Sequence, residues 1–376
     1  MAKTVVVLGG SFAGIATAQR LLKNTLPKVP DLKVILVSPN THFYWSVAAP
    51  RAVLPNGFKS DDEIFQPIAP NFAKYPKSSF TLVEGKAESV DPEKHTVVVS
   101  TSSGQQTYAY NQLVVATGAS FSSGLPFKQM GTHKQTLENL HALRKSIANA
   151  QSIALAGAGP TGVETAGELG YEYRTTGKKI TLITDSNLVL PGLMESVGKA
   201  AEKELQKLQV QVVHNTRVID ATPKGSQTEL TLSSGDKLPV DLYIPTVGVT
   251  PNTSFLPRDF LDERSNLRVD IYLKVESAPD IWACGDVTNL QAKQLVYIEK
   301  QVQQLTKNLE AVLIGNTGSV SEFKKDDKVM QAVPVGRSRG TGQMGSMKLP
   351  SLMVWAAKGR NFLTPKLKPY VATGIL

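Results

Sequence analysis

Two glycine-rich turns in this sequence carry residue types that could hold the phosphates of a nucleotide. In the second turn, three glycines follow the spacing G-x-G-x-x-G between a strand-like apolar run and a helical pattern. The first glycine permits a tight turn, the second lets the backbone approach a pyrophosphate, and the third lets helix and strand pack. The amides and dipole of the following helix attract the phosphates. The residues predicted to bind nucleotide in this turn are Gly157, Gly159, Pro160, Thr161 and Gly162.

The first turn is less regular, because Ser11 replaces the second glycine of the same pattern. Serine is small and its hydroxyl could itself bond a phosphate oxygen, so a dinucleotide site is still predicted. The strand after this turn ends at Ser38, without the carboxylate that commonly binds a ribose. Ser38 is predicted to occupy that position of the site. The residues predicted to bind nucleotide in the turn itself are Gly9, Gly10, Ser11, Phe12, Ala13 and Gly14.

An acidic residue, Asp185, follows the strand that comes after the second turn. It could accept a hydrogen bond from the 2′-hydroxyl of an adenosine ribose and would repel a 2′-phosphate, which favours NADH. It lies one residue late for that role, and the alternative is an exposed aspartate in a turn. The choice between NADH and NADPH therefore stays open.

Two other strand-like runs end in residues suited to a ligand site. One ends in three small residues, and the other ends in a glycine and an aspartate. Because ligands of open α/β sheets bind at the carboxyl ends of the strands, both ends are predicted to contribute to a cofactor site, although either run could be a plain core strand. The residues concerned are Ala116, Thr117, Gly118, Gly285 and Asp286.

The elements that must position these residues form two strand–turn–helix–strand units. Gly157 lies 148 residues after Gly9, which is the difference 157 minus 9. Two such units predict an α/β fold with two Rossmann-like dinucleotide-binding domains, followed by a small C-terminal α+β region. A long helix is predicted over 296–313. The length of 376 residues suits two or three domains.

The composition is that of an ordinary globular protein, with 41% hydrophobic and 19% charged residues, which excludes a fibrous or disordered chain. No apolar run is long enough to span a bilayer. The one cysteine, Cys284, excludes a disulfide scaffold or a redox-active dithiol within the chain, and no metal site is predicted. We expect no cleaved signal segment, because the first strand-like run begins at Thr4, and no myristoylation, because Ala2 follows Met1.

The positive charge is concentrated in the last part of the chain. Residues 328–376 carry eight basic and no acidic residues, and so supply +8 of the net charge of +9. This favours an anionic partner such as a membrane, a nucleic acid or a phosphate-rich cofactor. The apolar run 349–357, which contains Trp355 and precedes Lys358 and Arg360, suggests a peripheral contact with an anionic membrane. Alternatively, the run packs internally or forms a dimer face.

Taken in order, these segments resemble the flavoproteins with two dinucleotide-binding domains and a glutathione-reductase-like fold. The segment Asp241–Asn252 resembles the one by which that family crosses back to its FAD domain. The resemblance implies FAD and NADH or NADPH as cofactors. It places the Asp286 carboxylate on the ribityl chain of FAD and makes Gly248, at the crossing, a cofactor-binding residue. It divides the chain into an FAD-binding domain of two segments, 1–120 and 246–315, an NAD(P)H-binding domain, 121–245, and a basic C-terminal region, 316–376.

Within that group, the segments His42–Arg51 and Lys358–Phe362 are similar to the apoptosis-inducing-factor-like proteins of the ferroptosis-suppressor (AMID) branch. The resemblance implies an NAD(P)H:quinone oxidoreductase that passes electrons from flavin directly to a quinone. It also implies cofactor binding by Arg51 and catalytic roles for two residues. Glu164 would orient the nicotinamide, and Lys293 would stabilise the reduced flavin by its charge.

Two alternatives remain open at this point. The chain could reduce a small iron–sulfur protein, or it could be a basic nucleic-acid-binding protein of the apoptosis-inducing-factor-like group. Nucleic acid is not the expected partner, because the tail lacks clustered arginines and stacking aromatic residues. The expected location is the cytoplasm, with peripheral contact at a membrane such as the mitochondrial outer membrane or a lipid droplet. Either a monomer or a homodimer is compatible with the sequence.

Overall fold

The computed structural model describes residues 3–326 and 328–376, and its first series of strands and helices runs from Lys3 to Phe121. In chain order these elements are β1 (Lys3–Leu8), α1 (Phe12–Arg20), β2 (Leu32–Ser38), β3 (His42–Tyr44), α2 (Ala49–Ala52), β4 (Phe65–Pro67), β5 (Phe80–Asp91), β6 (Thr96–Thr101), β7 (Gly104–Ala109), β8 (Gln112–Val115) and β9 (Ala119–Phe121).

A second strand–helix series follows and leads back to the first. Its elements are α3 (His133–Asn149), β10 (Ser152–Ala156), α4 (Pro160–Tyr173), β11 (Lys179–Ile183), α5 (Glu195–Lys207), β12 (Val210–Val213), β13 (Val218–Lys224), β14 (Gln227–Leu232), β15 (Lys237–Val240), β16 (Leu242–Pro245), β17 (Val249–Pro251), β18 (Lys274–Val275), β19 (Ala278–Ala283) and α6 (Leu295–Leu313). The last elements are β20 (Met330–Val335), β21 (Arg339–Met344), β22 (Met347–Lys348), α7 (Ser351–Val354) and α8 (Leu367–Thr373).

Eight strands form the largest sheet, in the order β18-β19-β8-β1-β2-β5-β6-β7. Its central strands are parallel, since β1 pairs with β2 and β8, β2 with β5, and β8 with β19. The middle of β1 is Val5, Val6 and Val7, all fully buried, as expected for a strand covered on both faces. Helices α1 and α6 pack against each other beside this sheet. The carboxyl end of β1 leads directly into the first glycine turn.

A second, smaller sheet repeats the arrangement. Its four strands are all parallel, in the order β12-β11-β10-β16, and the second glycine turn follows β10. An antiparallel sheet of β13, β14 and β15 accompanies it, with a small apolar cluster that includes Leu230 and Ile183. The two units are joined by β9 and β17, which pair with each other in antiparallel fashion.

The last elements connect both units. The antiparallel sheet of β20, β21 and β22 packs on α4 and α5. The final helix, α8, packs on α1, and the hydroxyl of Tyr370 donates to the carbonyl oxygen of Phe12 at 2.9 Å. Gly374 ends α8 with φ +68° and approaches α1 so closely that a Cβ there would lie 2.7 Å from Cα of Ala16. The C-terminal region therefore lies against the first glycine turn.

The predicted fold class is confirmed: two Rossmann-like units with parallel sheets, and a small C-terminal α+β region. The proposed domain boundaries at 120, 245 and 315 stay predictions. The long helix begins one residue before its predicted start, at Leu295. Among the residues described, no helix is both long and apolar enough to cross a membrane.

Candidate active site

The first glycine turn is shaped by close backbone contacts. Gly9 has φ +115°, and a Cβ there would lie 2.3 Å from the carbonyl oxygen of Ala116. A Cβ on Gly14 would lie 1.7 Å from the carbonyl oxygen of Gly9. Ser11 is the N-cap residue of α1 but makes no side-chain capping bond to the described backbone, so the first amides of α1 can bind an anion. This turn fits the pyrophosphate of a dinucleotide.

Ser38 lies directly against this turn. Its hydroxyl is 2.4 Å from the position that a Cβ on Gly10 would occupy, so both residues must be small. The hydroxyl donates to the carbonyl oxygen of Asn40 at 2.9 Å and accepts from the amide of Asn40 at 3.0 Å. With its hydrogen used in that loop, Ser38 can act toward a ribose only as an acceptor. Its role in cofactor binding stays a prediction.

Phe12 and Ala13 face inward from the start of α1. The Phe12 ring lies 4.8 Å from Phe43, 5.3 Å from Trp45 and 5.4 Å from Tyr370, between ring centroids. Phe43 and Trp45 are fully buried, and the Trp45 indole donates to the carbonyl oxygen of Phe362 at 2.8 Å. This aromatic cluster fixes the start of α1 against the C-terminal region.

The turn after β8 is bonded to the segment that crosses back between the units. Asn252 accepts through its backbone carbonyl from the Thr117 hydroxyl at 2.7 Å and donates through its side-chain amide to the Thr117 carbonyl at 2.9 Å. Gly118 accepts from the amide of Asn252 at 3.0 Å. Gly248, with φ +76°, lies within this crossing segment, and its role in cofactor binding stays a prediction. The structure thus brings the turn after β8 into contact with the crossing segment.

Asp286 lies between two lysines at the carboxyl end of β19. The Lys128 ammonium forms an ion pair with its carboxylate, and the Lys293 ammonium donates to its backbone carbonyl at 2.5 Å. Burial lowers the pKa of Lys293, and the charge of Lys128 lowers it further, while the nearby Asp286 and Asp262 oppose this. The preceding Gly285 has φ +83°. Lys128 was missed by the sequence analysis, since no motif marks the loop that carries it.

The second glycine turn repeats the geometry of the first. Gly157 has φ +106°, and a Cβ on Gly162 would lie 1.8 Å from the carbonyl oxygen of Gly157. Gly159 is the N-cap residue of α4, followed by Pro160 and Thr161 in the first turn of the helix. A Cβ on Gly159 would meet no described atom within 4 Å, so the open side of the turn can admit a pyrophosphate. The turn therefore fits the nucleotide predicted for it.

Glu164, on the first turns of α4, is almost fully buried and paired with a lysine from the C-terminal region. The Lys358 ammonium donates to its Oε1 at 2.5 Å, and the two side chains are 4% and 17% exposed. Burial raises the pKa of Glu164, and the charge of Lys358 opposes this rise. From the sequence, Lys358 was predicted to flank a membrane-facing segment, whereas in the structure its side chain points toward α4. Its contact with Glu164 was missed because 194 residues separate the two.

One turn further along α4, Glu168 pairs with Arg51 of α2. The guanidinium makes two parallel hydrogen bonds to the carboxylate, at 2.7 and 2.9 Å, and also donates to the carbonyl oxygens of Gly359 and Arg360. Arg51 and Glu168 are both buried. Through these contacts Arg51 holds the first unit, α4 and the C-terminal region together. A role of Arg51 in cofactor binding stays a prediction.

The acidic side of α4 continues to Glu172. Glu164, Glu168 and Glu172 are spaced by four residues and therefore share one face of the helix. Arg337 of the C-terminal region lies 2.8 Å from Glu172 and 3.5 Å from Glu168. Part of the basic tail is thus neutralised by α4 rather than presented to solvent.

Asp185 lies just after β11, beside the second glycine turn. Its carboxylate is 2.9 Å from the Arg217 guanidinium, and both side chains are more than half exposed. In the described part of the chain, no group of three or more histidine, cysteine or acidic residues is arranged to hold a metal ion.

Comparison with known proteins places this architecture in a family. The model for the pyridine nucleotide-disulphide oxidoreductase family matches residues 3–311. The oxidoreductase ptaL of Pestalotiopsis fici is 40% identical over 354 residues, 94% of each chain. Ferroptosis suppressor protein 1 of Taeniopygia guttata is 27% identical over 373 residues, 96% of this chain and 94% of the relative.

A solved structure agrees in fold. The sulfide:quinone oxidoreductase from the hyperthermophilic bacterium Aquifex aeolicus superposes with a TM-score of 0.79, covering 100% of this chain and 92% of that chain at 20% identity. The resemblance noted from the sequence is confirmed. The chain belongs to the pyridine nucleotide-disulphide oxidoreductase family, as an oxidoreductase that uses FAD and NAD(P)H and is similar to the ferroptosis-suppressor proteins.

Proposed function

We propose that this chain is an NAD(P)H:quinone oxidoreductase in which electrons pass from FAD to a quinone without a redox disulfide. The observation that carries the proposal is the cysteine content. Cys284 is the one cysteine of the sequence, and burial raises the pKa of its thiol to about 12. Such a thiol is not a thiolate at neutral pH and cannot relay electrons as one half of a pair. The acceptor must therefore take electrons from the flavin itself.

The two glycine turns bind the nucleotides in this proposal. When bound, FAD supplies the electron chemistry, taking hydride from NAD(P)H and passing the electrons on. The free amides at the starts of α1 and α4 hold the phosphates, and Asp286 binds the ribityl hydroxyls. Lys128 and Lys293 place positive charge beside Asp286, where it stabilises negative charge that develops on a bound ligand.

Glu164 orients the nicotinamide in this proposal. Its Oε1 accepts from Lys358, and Oε2 can accept a hydrogen bond from the carboxamide of a bound nicotinamide. Burial raises the pKa of Glu164, and the charge of the Lys358 ammonium opposes this rise and so favours the ionised form of the carboxylate. Lys358 thus acts on the reaction through Glu164, as a positioning residue.

The test of this function is an anaerobic titration of the purified protein. Flavin absorbance should bleach on addition of NADH or NADPH and return on addition of a short-chain ubiquinone analogue. Reduction of a small iron–sulfur protein is the competing reaction. It would fall steeply with salt, because an acidic partner docks on a basic face, whereas quinone turnover should respond weakly to salt. If the flavin bands return with the iron–sulfur protein but not with the ubiquinone analogue, the quinone is rejected as the electron acceptor.

We further propose a peripheral membrane contact through α7, with the protein otherwise in the cytoplasm. Leu352 and Met353 are 70% and 53% exposed on this helix, and Lys348 and Arg360 nearby are also exposed. Apolar side chains flanked by cations favour the surface of an anionic membrane. Trp355 is a weaker candidate than the sequence suggested, because its indole donates to the carbonyl oxygen of Arg337 at 2.8 Å.

Sedimentation with anionic liposomes tests this contact. The double variant Leu352→Ser, Met353→Ser should lose binding at low salt. The matched control is Ile219→Ser, which removes a similarly exposed apolar residue from β13. If the wild type and the double variant bind equally well, the binding comes from the positive charge of the basic tail in general. That result would contradict the contact through α7.

A further inference from the structure

Two neighbouring strands define the position that is expected to contact the adenosine ribose of the bound nicotinamide nucleotide. β10 and β11 pair in parallel up to Ala156 and Ile183, and the amide of Gly157 donates to the carbonyl oxygen of Ile183 at 2.9 Å. The loop that follows β11 therefore begins beside the second glycine turn. In Rossmann-like sites, the residues at this point meet the adenosine ribose of the bound nucleotide.

The residue at the strand end is not acidic. Thr184 follows Ile183 directly, is 2% exposed, and accepts through its hydroxyl from the amide of Ser186 at 3.3 Å. A carboxylate at this point binds the 2′-hydroxyl of NADH and repels the 2′-phosphate of NADPH. Here the first carboxylate is on Asp185, one residue later and 59% exposed.

The loop after β12 places a cation, the Arg217 guanidinium, beside Asp185. Its backbone is bonded to the loop after β11, since Thr216 donates to the carbonyl of Thr184 at 2.8 Å and Asn215 to that of Ser186 at 3.1 Å. The backbone of Arg217 is held in turn by Ser233, through bonds of 2.8 and 3.0 Å. These contacts fix the Arg217 backbone next to Asp185, while its guanidinium stays 71% exposed.

The ion pair between Arg217 and Asp185 is weak enough to be replaced. An exposed, solvent-screened pair of this kind contributes little stability, so a phosphate can compete for the guanidinium. Arginine matches the geometry of phosphate with two parallel donors, whereas the paired Asp185 no longer presents an uncompensated negative charge. From this geometry we propose that Arg217 binds the 2′-phosphate of NADPH and that Asp185 weakens this binding, so that the chain accepts NADPH as well as NADH.

This inference deepens the proposed function, but its test does not depend on the electron acceptor. The probes are 2′,5′-ADP, which carries the 2′-phosphate, and 5′-AMP, which lacks it, titrated into the purified flavoprotein by calorimetry. The wild type should bind 2′,5′-ADP more tightly than 5′-AMP. Arg217→Ala should lower the affinity for 2′,5′-ADP about tenfold, which corresponds to the loss of one charge-assisted hydrogen bond. The affinity for 5′-AMP should change by no more than about twofold.

Two further variants complete the design. Asp185→Asn should raise the affinity for 2′,5′-ADP. The control is Arg258→Ala, which removes an exposed arginine from a short 3-10 helix remote in sequence and should change the affinity for neither ligand. In turnover assays, Arg217→Ala should raise KM for NADPH relative to KM for NADH.

The proposal is overturned if Arg217→Ala binds 2′,5′-ADP like the wild type, or if it weakens both ligands equally. It is also overturned if the wild type prefers 5′-AMP. Failure to reduce quinones with either nucleotide would contradict the proposed function and leave the binding comparison unaffected.

Discussion

The ammonium of Lys358 lies 2.5 Å from Oε1 of Glu164, although the two residues are 194 positions apart. The contact places a cation of the basic tail against α4, the helix that follows the second glycine turn. Arg337 and Arg51 neutralise the next two carboxylates on the same face of α4. The tail is therefore part of the candidate site and not an appendage to it.

Removal of Lys358 should change the pH dependence of NADH oxidation. Burial already raises the pKa of Glu164, and Lys358→Met removes the charge that opposes this rise. If the ionised Glu164 orients the nicotinamide, the acid limb of the kcat/KM profile for NADH should move to higher pH, with a loss of about ten- to hundredfold at neutral pH. Lys348→Met, an exposed lysine of the same tail, is the control. A uniform loss without a shift in the profile would mean that Lys358 is only structural.

Asp286→Ala should empty the flavin site or weaken it strongly. The carboxylate is the group predicted to bind the ribityl chain, and its removal also leaves Lys128 without its partner. The measurement is the flavin-to-protein ratio after purification, together with the dissociation constant for added FAD. Asp259→Ala, an exposed aspartate on a short 3-10 helix, should retain full flavin. Full occupancy in Asp286→Ala would reject the assignment.

Arg51→Ala should destabilise the fold. The substitution leaves the carboxylate of Glu168 buried without its bidentate partner, which costs about 3–5 kcal/mol in comparable pairs. Urea denaturation measures the free energy of unfolding, and Lys199→Ala, which breaks an exposed ion pair with Glu195, should leave it nearly unchanged. If Arg51 instead acts on a cofactor, the variant would lose FAD while the cofactor-free protein kept its stability.

Protonation of two stacked histidines should destabilise the protein in mild acid. The rings of His42 and His133 lie 3.8 Å apart and nearly parallel, and burial lowers the pKa of both below the usual 6.5. Between the folded and unfolded pKa values the unfolded chain binds more protons, so the free energy of unfolding decreases as the pH falls below about 6.5.

His133→Gln should reduce that pH dependence. Urea midpoints at pH 7.5 and 5.5 are compared for the wild type, His133→Gln and the surface control His95→Gln. The His133 variant should lose less stability on acidification than the other two proteins. An equal loss in all three would assign the acid sensitivity to other groups.

The glycine turns could be recognised from the sequence because their signals are local. Gly9, Gly14, Gly157 and Gly162 are required by close approaches within the turn or to the next strand, and such requirements impose a fixed spacing along the chain. The parallel strands were recognisable for the same reason, since strands buried on both faces must be continuously apolar. The two-unit fold followed from these patterns.

The pairs that complete the candidate site could not be recognised in this way. Arg51 and Glu168 are 117 residues apart, and Lys128 and Asp286 are 158 apart. The local sequence around a charged residue does not predict its ion-pair partner, because the pairing depends on how distant elements pack. The sequence by itself determined the two glycine turns and the strands that carry them. Only the tertiary structure decided that Lys358 meets Glu164 and that Arg217 meets Asp185, because both contacts form between segments that packing alone brings together.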